Sequence, residues 1–399
     1  MSSKPRFVGE KVKLGELLLN TFSGEWGTEE GELLTPVLRT SNFNEDGSLN
    51  YSTPAMRCIP EGKVAKKRMV RGDIILEKSG GTPKRPVGIM AFYDSDALAL
   101  CSNFNQVLRF DESRILPRFA FHQLRWLKDR NAFDRYTRKT TGLQNLQMKK
   151  LIELKLRVPQ IEAQTSIATT LDEIACDQRA LQQEIACLDS LVKSRFVEMF
   201  GDPCDPGNSS AKSRIDSFCE LRIGPFGSAL HKEDYITGGH PLVNPSHIIG
   251  GAIRSDENLT IDDGKYESLA AYHLLPGDVV LGRRGEIGRC AVVKTDGLIC
   301  GTGSMIIRPG QKVRSDYLQR VVSFPSFSHA LEANAVGVTM KNLNAKIVGS
   351  AEVFLPDLED QDAFISFVSQ VDKSRFIAQQ QIEKLQMLYD SLAQDYFGD

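Results

Sequence analysis

The sequence predicts an α+β protein built as a pseudo-two-fold tandem repeat. Two β-rich units with small helices alternate with two long helices that pair as an antiparallel coiled coil. The main observation is that the stretch from Pro159 to Asp202 recurs without insertion from Pro356 to Asp399, with matched residues 197 positions apart. Both copies have a 3.5-residue apolar period, and short strand-like runs separated by turn residues precede each copy. A gap-free internal match indicates two copies of one structural unit.

The match extends over both ends of the repeated stretch. Phe200-Gly201-Asp202 recurs as Phe397-Gly398-Asp399, and Gln164 recurs as Gln361. Further matches at the same spacing are Ile185 with Ile382, Leu188 with Leu385, Asn145-Leu146 with Asn342-Leu343, and Lys149 with Lys346.

Each copy of the repeat is predicted to be a helix with a coiled-coil seam. Apolar residues recur in alternating steps of four and three, which is the coiled-coil period. The first seam consists of Ile167, Leu171, Ile174, Leu181, Ile185, Leu188, Val192 and Met199. The second consists of Phe364, Val368, Val371, Ala378, Ile382, Leu385, Tyr389, Leu392 and Tyr396. Gln178 and Arg375 interrupt the two seams at the same heptad position, where a polar residue fixes register and partner at some cost in stability.

The ends of the helices are also marked. Pro159 and Pro356 precede the periodic runs, and Gly201 and Gly398 follow them. A helix from Ile161 to Met199 would be about 58 Å long. We expect the two helices to pair with each other, antiparallel, because each follows its own large unit. The alternative is two separate helices, each packed on the unit before it.

Length and composition favour an intracellular protein of two to three domains. The chain has 399 residues and a net charge of −2, which argues against tight non-specific nucleic-acid binding by the isolated chain but leaves room for a local basic patch. Its eight cysteines show no C-x-x-C spacing, so we expect reduced thiols and no metal site. There is no apolar run of about 18 residues and no apolar signal region in the first residues, so we expect a cytoplasmic location and no membrane contact.

The first β-rich unit is assigned to residues 1–155 and the helix after it to 156–202. A glycine-rich turn at Ser23–Gly27 follows a short element at Val12–Leu19, and a helix begins at Pro117. The predicted strands are Pro36–Arg39, Asp73–Leu76, Gly88–Phe92 and Ala97–Cys101.

The second β-rich unit, residues 203–352, repeats this plan with different residues, and the second helix occupies 353–399. Gly224–Ser228 is the turn, Pro276–Leu281 corresponds to Arg71–Leu76, and a helix begins near Tyr317. The other predicted strands are Pro241–Asn244, Gly285–Val293 and Leu298–Ile307. The two units therefore agree in plan but present different surfaces on a common helical frame.

Basic residues cluster in loops at comparable places in both units. Lysine and arginine in glycine-bearing loops can follow a phosphate backbone or reach base edges in the major groove. The alternative is a solvated charged surface, which is less favoured because the loops follow the same Gly-Asp strand in both units. The candidate DNA-binding residues are Lys66, Lys67, Arg68, Lys78, Lys84, Arg85, Asn244, His247, Arg283, Arg284 and Arg289.

No catalytic or metal-binding residue is predicted. Asn244-Pro245-Ser246-His247 resembles the amino-methyltransferase tetrad of Asn or Asp, Pro, Pro and an aromatic residue, but Ser246 and His247 depart from it. There is no P-loop, and no Ser/His/Asp order can be nominated. The pattern is typical of a recognition protein without catalytic machinery.

Taken together, these features resemble the specificity subunit of type I restriction-modification systems. The resemblance covers the whole chain and depends on the half-chain repeat, on Val158–Gln164 and on Glu198–Asp202. The second copy departs from the first at Asp360, where the first copy has Ala163.

The resemblance implies that each β-rich unit is a target recognition domain that reads one half of a bipartite, asymmetric site in double-stranded DNA. The helices would set the gap between the half-sites and bind two methyltransferase subunits, which restriction subunits with translocase activity would join. This chain would be non-catalytic and carry no cofactor, with S-adenosylmethionine in the methyltransferase and ATP and Mg in the restriction subunit. The alternatives are a specificity component of a related methylation-only or fused system, and a coiled-coil scaffold without a DNA role. A self-contained methyltransferase or nuclease is a further alternative, but its signature, an intact Asn-Pro-Pro-aromatic tetrad with a cofactor loop, is absent from the sequence.

Overall fold

The computed structural model describes residues 9–31, 33–82, 85–140, 142–204, 212–226, 229–285, 287–335 and 342–398. The chain forms two compact units, the first made of Met1–Gln183 with Gln379–Asp399 and the second of Glu184–Ala378. Each long helix therefore contributes residues to both units. The fold is the predicted α+β repeat.

The first unit combines small sheets with short helices. Its strands are β1 (Glu10–Lys13), β2 (Leu18–Ser23), β3 (Leu34–Leu38), β4 (Ala55–Cys58), β5 (Ile74–Glu77), β6 (Ser79–Gly81), β7 (Met90–Phe92), β8 (Leu100–Cys101), β9 (Asn105–Phe110), β10 (Thr137–Thr140), β11 (Leu143–Leu146) and β12 (Lys155–Val158). Its short helices are α1 (Leu14–Leu17), α2 (Glu61–Lys67), α3 (Pro117–Asp129) and α4 (Met148–Leu151).

An antiparallel sheet in the order β2-β9-β5-β7 forms the centre of the first unit. Smaller sheets have the orders β4-β3-β8, β10-β11-β6 and β1-β12. Phe119, Phe121 and Leu124 of α3 are buried in one core with Ile74 and Leu76 of β5. Ile74 and Leu76 share this core because every second side chain of a strand faces the same side, while Ile75 between them is buried in a separate core.

The second unit repeats this topology. The long helix α5 (Ile161–Phe200) precedes its strands β13 (Lys212–Arg214), β14 (Cys219–Ile223), β15 (His240–Val243), β16 (Ile248–Ile249), β17 (Ala252–Ile253), β18 (Thr260–Ile261), β19 (His273–Leu274), β20 (Val279–Gly282), β21 (Cys290–Val292), β22 (Leu298–Cys300), β23 (Ser304–Pro309) and β24 (Glu352–Phe354). Its remaining helices are α6 (Asp263–Ser268), α7 (Ser315–Ser323), α8 (Pro325–Asn334), α9 (Ala345–Gly349) and the long α10 (Leu358–Phe397).

The antiparallel sheet β14-β23-β20-β21 has the same connectivity as β2-β9-β5-β7, and the parallel pair β15-β22 matches β3-β8. The two-stranded pairs β13-β24 and β1-β12 also correspond. Two expected strands were wrong in extent. Leu298–Ile307 is two strands, because a turn at Gly301–Gly303 separates β22 from β23, and the described strand within Gly285–Val293 is limited to Cys290–Val292.

The two long helices are equal in length and position within the repeat. α5 and α10 each contain 40 residues, and their first and last residues are matched in the sequence repeat. Gly201, just after α5, has a φ of 74°, which favours glycine at a helix end. The predicted boundaries at Ile161 and Met199 are confirmed to within one residue.

Within the first unit, α5 and α10 run antiparallel. Gln178 donates to the Oε1 atom of Gln386 at 3.1 Å, whereas Asp172 and Tyr389 are bridged by His122 of α3. Residue numbers along α10 therefore decrease as those along α5 increase, which is the antiparallel arrangement. Ile167 and Leu171 are buried with Phe397 in the same core. The alternative of two separate helices, each packed only on the unit before it, is therefore wrong, because residues of α10 belong to the core of the first unit.

Within the second unit the helices also run antiparallel. A guanidinium nitrogen of Arg375 lies 3.1 Å from the Oδ1 atom of Asp189, and the rings of Phe196 and Phe364 are 5.5 Å apart. Both polar interruptions of the seam thus contact the other helix. Val192, Val368 and Val371 are buried in the core of the second unit. Ile174 is buried, while Ile185, Leu188, Ile382, Leu385 and Tyr389 are partly exposed.

The repeated Gly-Asp turn has the same structure in both units. Gly72 and Gly277 both have a φ of 94°, which is accessible to glycine at little cost. The next residue in the first unit, Asp73, accepts from Arg109 at 2.8 and 2.7 Å and from the backbone N–H of Val70. In the second unit Asp278 makes the equivalent bonds, accepting from Arg308 at 2.8 Å through both oxygens and from Leu275 N–H. The motif therefore anchors the central strand in each unit.

Candidate nucleic-acid interface

The first basic loop, residues 78–85, begins directly after β5. The backbone N–H of Lys78 donates to the Phe104 carbonyl at 2.9 Å, and the Lys78 carbonyl accepts from Leu146 N–H at 2.7 Å. The strand β6 within the loop pairs with β11, which pairs with β10. This arrangement places the loop in one sheet with a hairpin that carries the exposed residues Arg138 and Lys139.

The side chains of the first basic loop differ in their availability. The Nζ atom of Lys78 contacts the Ser23 hydroxyl and lies 3.5 Å from the Oε1 atom of Gln106, and burial lowers the pKa of Lys78. Arg85 is exposed, and its Nη1 atom lies 3.6 Å from Oε1 of the buried Glu77. Burial raises the pKa of Glu77, which Arg85 opposes in part. Lys84 lies outside the described residues. Among the described residues of the loop, Arg85 is the exposed cation.

The other predicted cations of the first unit are at the end of α2. Lys67 lies 2.9 Å from the Oε2 atom of Glu25 and donates to the Gly24 carbonyl, so its charge is paired. Lys66 and Arg68 are exposed to solvent. These two residues are the ones in this group whose charges can face a ligand.

The second basic loop, residues 283–289, begins directly after β20. Arg283 N–H donates to the Gly303 carbonyl at 2.9 Å, and the Arg283 carbonyl accepts from Leu343 N–H at 3.0 Å. Its Nε atom donates to the Leu343 carbonyl at 3.1 Å, and burial together with the neighbouring Arg284 lowers the pKa of Arg283. Arg284 donates to the Oδ1 atom of Asn342 at 2.7 Å. The loop is thus tied to the repeated Asn-Leu pair.

Asn244 and His247 lie beside the second basic loop. The Oδ1 atom of Asn244 accepts from Gly303 N–H at 3.4 Å, so it shares the turn that holds Arg283. His247 Nδ1 lies 2.7 Å from the Leu242 carbonyl, which makes it part of the local turn. Both residues therefore shape the backbone beneath the loop. Their prediction as DNA contacts remains a prediction.

Arg289 closes the second basic loop, where its carbonyl accepts from Gly282 N–H at 2.8 Å. It lines a cavity of about 360 Å³ with Arg320 and Arg375, and Asp189 is the acidic residue in the lining. The structure therefore brings together Asn244, His247, Arg283 and Arg284 around one turn, and Arg289 closes the same loop.

The two basic loops occupy equivalent positions. Lys78 and Arg283 make the same two backbone bonds, one to the turn before β9 or β23 and one to the leucine of the repeated Asn-Leu pair. The turn residue differs, being Phe104 in the first unit and Gly303 in the second. Phe104 is 53% exposed beside Lys78. Sequence reasoning missed this residue, although an aromatic within the polar turn Ser102–Asn105 was the available signal.

An exposed aromatic at this position has a chemical role open to it. Apolar side chains contact the thymine methyl group in the major groove or insert between base steps. The same scaffold position thus carries a cation and an aromatic in one unit and two cations with glycines in the other.

Among the residues that the structure describes, no group of three His, Cys, Asp or Glu side chains is placed to hold a metal ion. None of the described helices has the length and apolar character of a membrane span.

The sequence model of the type I restriction modification DNA specificity domain matches residues 28–186 and 210–387, once in each copy of the repeat. The chain belongs to this family. Its function is DNA sequence recognition as a type I specificity subunit.

The relatives described next have low sequence identity to this chain, but the alignments cover more than 90% of both chains. A Methanocaldococcus jannaschii protein named as a type I restriction enzyme MjaX specificity subunit is 21% identical over 405 residues, covering 94% of this chain and 92% of that protein. The crystal structure of the type I restriction-modification S subunit from M. genitalium has a TM-score of 0.57 at 15% identity, covering 100% of this chain and 98% of that chain.

A second solved chain, from a study of complex assembly and conformational transition of the type I R-M system, has a TM-score of 0.53 at 17% identity and covers 98% of both chains. At these identities the two structures support the fold of the specificity subunit, including its two repeated domains.

Proposed function

We propose that each unit of this specificity subunit reads a different half of a bipartite, asymmetric site in double-stranded DNA. The observation that carries the proposal is the equivalence of the two basic loops. Identical backbone bonds hold Lys78 and Arg283, while the side chains around them differ. A common scaffold with different side chains at its tip reads different bases, because base-edge contacts depend on the donors and acceptors presented.

Specificity then arises from two short readings that combine. A mismatched base pair costs about 1–3 kcal/mol, and costs at separated positions add. The exposed cations Lys66, Arg68 and Arg85 of the first unit and the half-buried Arg283 and Arg284 of the second are the residues we propose to contact DNA. The near-neutral net charge of −2 fits this role, because partner subunits can supply much of the phosphate contact.

The long helices are proposed to set the gap between half-sites and to dock two methyltransferase subunits. Large apolar side chains remain exposed on α10, namely Phe376 and Ile377 in the second unit and Met387 and Leu388 in the first. Apolar side chains exposed side by side on a helix suit a partner interface. Restriction subunits would join this complex.

The chain itself is proposed to have no catalytic activity and no cofactor. The tetrad-like segment supports this view, since the Asn244 and His247 side chains hold local backbone groups. S-adenosylmethionine would bind in the methyltransferase, and ATP with Mg in the restriction subunit. A methylation-only or fused system would use the same recognition subunit.

The proposal is tested by mapping modified bases genome-wide in cells with and without this chain, with its neighbouring genes kept constant. A bipartite motif that disappears with the chain supports the proposal and gives the target. An unchanged map, with chain and methyltransferase both expressed, contradicts it.

Matched variants then assign the half-sites. We expect Arg283→Gln/Arg284→Gln to relax or abolish recognition of one half only, and Lys66→Gln/Arg68→Gln to affect the other half. Loss of a specific contact should cost about 1–3 kcal/mol. A coiled-coil scaffold without a DNA role predicts that both variants bind and methylate DNA like the wild type.

A further inference from the structure

A second cationic surface lies on the first unit, outside the first basic loop. It is an open groove of about 570 Å³, hereafter the cationic groove, formed by the end of α3, the ribbon β1-β12 and Phe397. One acidic residue, Glu153, lines it and lies 2.6 Å from Lys13. The basic residues of the lining are Lys11, Arg130, Arg135, Lys155 and Arg157.

The ribbon β1-β12 concentrates positive charge on one of its faces. Lys11 is opposite Arg157 and Lys13 is opposite Lys155, while the intervening pair, Val12 and Leu156, is buried. Because side chains alternate along strands, the four cations share the outer face. Like charges directly opposite each other destabilise a ribbon, and the ion pair of Lys13 with Glu153 offsets part of that cost.

Two arginines of the cationic groove are stacked on aromatic rings. The guanidinium of Arg130 lies 4.3 Å from the ring centre of Trp126, and that of Arg135 lies 4.7 Å from the ring centre of Tyr136. Arg130 donates to the amide oxygen of Gln394 at 2.8 Å, which leaves its charge without a carboxylate in that contact. Stacking fixes a guanidinium while its N–H edge can still bind an anion, and planar, bidentate binding suits phosphate.

The cationic groove continues toward the first basic loop. Tyr136 leads directly into β10, where Arg138 and Lys139 are exposed, and β10 shares a sheet with β6 of the loop. Cations spread over the ribbon β1-β12, the end of α3 and the segment leading into β10 match a chain of phosphates better than a single carboxylate. This is also the pattern that follows a nucleic-acid backbone.

The corresponding ribbon of the second unit differs in charge. In β13-β24, Lys212 is opposite Phe354, and Arg214 is opposite Glu352. Arg214 is also paired with Asp216 at 2.5 Å. The same place in the fold is therefore nearly neutral in the second unit, which shows that the scaffold does not require the cations of the first.

We propose that the cationic groove binds the phosphate backbone of duplex DNA that flanks the half-site read by the first unit. The inference rests on the proposed function and adds an asymmetry to it. The first unit holds DNA beyond its recognised bases, whereas the described ribbon β13-β24 of the second unit lacks the facing cations. Salt-dependent affinity and the length of DNA covered are then greater on the side of the first unit.

The test uses the full chain assembled with its methyltransferase subunits and duplexes that contain the mapped target. One duplex ends at the half-site of the first unit, and another continues past it. We expect Arg135→Gln/Lys155→Gln to reduce the slope of log affinity against log salt by about two, one for each phosphate contact. If the affinity extrapolated to about 1 M salt is unchanged, a slope lower by two over one decade of salt weakens binding to the longer duplex roughly a hundredfold at about 0.1 M salt.

Two matched variants control for charge and position. Arg135→Lys/Lys155→Arg keeps both charges and should retain the slope, and Lys212→Gln/Arg214→Gln alters the second unit and should leave it unchanged. Phosphate-ethylation interference on the flank should disappear only in Arg135→Gln/Lys155→Gln. The methylated sequence should be the same for all three variants. If the salt slope of Arg135→Gln/Lys155→Gln is the same as that of the wild type, the inference is wrong. If this variant also assembles poorly with the methyltransferase subunits, the groove binds an acidic protein surface instead of DNA. If the wild-type complex methylates no bipartite target, the proposed function has failed instead.

Discussion

Replacing Gln164 by leucine should detach the start of helix α5 from the first unit. The Gln164 side chain is fully buried. Its Oε1 atom accepts from Leu116 N–H at 2.7 Å, and its Nε2 atom donates to the carbonyls of Pro159 and Arg114 at 2.9 and 3.2 Å. One amide thus joins the first turn of the long helix to the segment that leads into α3.

The size of the effect follows from these three bonds. Each contributes about 1 kcal/mol net, and a buried backbone group left without a partner costs about 1–3 kcal/mol. Leucine has a similar volume, so a cavity term should be small. We expect the free energy of unfolding of the first unit to fall by about 3–5 kcal/mol. For a unit of this size the melting temperature should fall by roughly 10 °C.

The assay can follow this unit separately. Both tryptophans, Trp26 and Trp126, belong to the first unit, so tryptophan fluorescence during urea or thermal unfolding reports on it. Gln361→Leu is the matched variant, because Gln361 accepts from Arg314 N–H at 2.8 Å and donates to the carbonyls of Pro356 and Lys312 at 2.8 and 3.1 Å.

Hydrogen exchange separates the two variants. Gln164→Leu should increase exchange in residues 114–124, and Gln361→Leu should increase it in residues 312–323. If Gln164→Leu changed the fluorescence transition by less than about 1 kcal/mol, the buried amide would not be an anchor and the reasoning from its three bonds would be refuted.

Three further predictions concern the helices, a buried histidine and the thiols. Deleting the facing heptads Gln178–Glu184 and Gln380–Gln386 shortens the helix pair by about 10 Å. The permitted gap between the DNA half-sites should then shorten by about 3 base pairs, or binding should be abolished. An unchanged target in the methylation map would refute the spacing role. Burial lowers the pKa of His122 in spite of the opposing effect of Asp172, so folding disfavours the protonated ring. The contribution of His122 to the stability of the first unit should be complete above about pH 6.5 and decline as the pH falls. His122→Gln should remove this loss of stability between pH 7 and pH 5 in fluorescence-monitored unfolding. Cys176 and Cys187 are exposed and should react rapidly with a thiol reagent, whereas variants lacking both should show no fast phase. Slow reaction is expected for the buried thiols Cys101, Cys219, Cys290 and Cys300.

The helical frame could be predicted from the sequence in detail. The alternation of four and three residues between seam positions is a property of contiguous residues, so it predicted the length and ends of the helices and much of the seam. The buried residues Phe196, Phe200, Ala393 and Phe397 lie outside the predicted seam positions. The Gly-Asp turns were also identifiable, because a glycine followed by an aspartate at the start of an apolar run is a local pattern. The carboxylate's arginine partner was not identifiable in advance, since Arg109 is 36 residues from Asp73.

Part of the candidate site could be predicted in the same way. The basic loops were located correctly after the central strands, because both follow the same recognisable motif. The individual side chains were harder to assign. Lys67 and Lys78 contact groups of their own unit, and Phe104 was missed, because these outcomes depend on neighbours that are distant in the sequence.

The sequence by itself determined that the chain is a duplication with a coiled-coil frame and two unlike β-rich units. Only the tertiary structure decided that each long helix is shared between the cores of both units, and that Lys11, Arg130 and Arg157 line one groove. The physical reason is the range of the interactions. Helical period and turn chemistry act over a few residues and can be recognised in any window of sequence. A groove or a shared core depends on which strands and helices pack together, and that is decided by the burial of the whole chain.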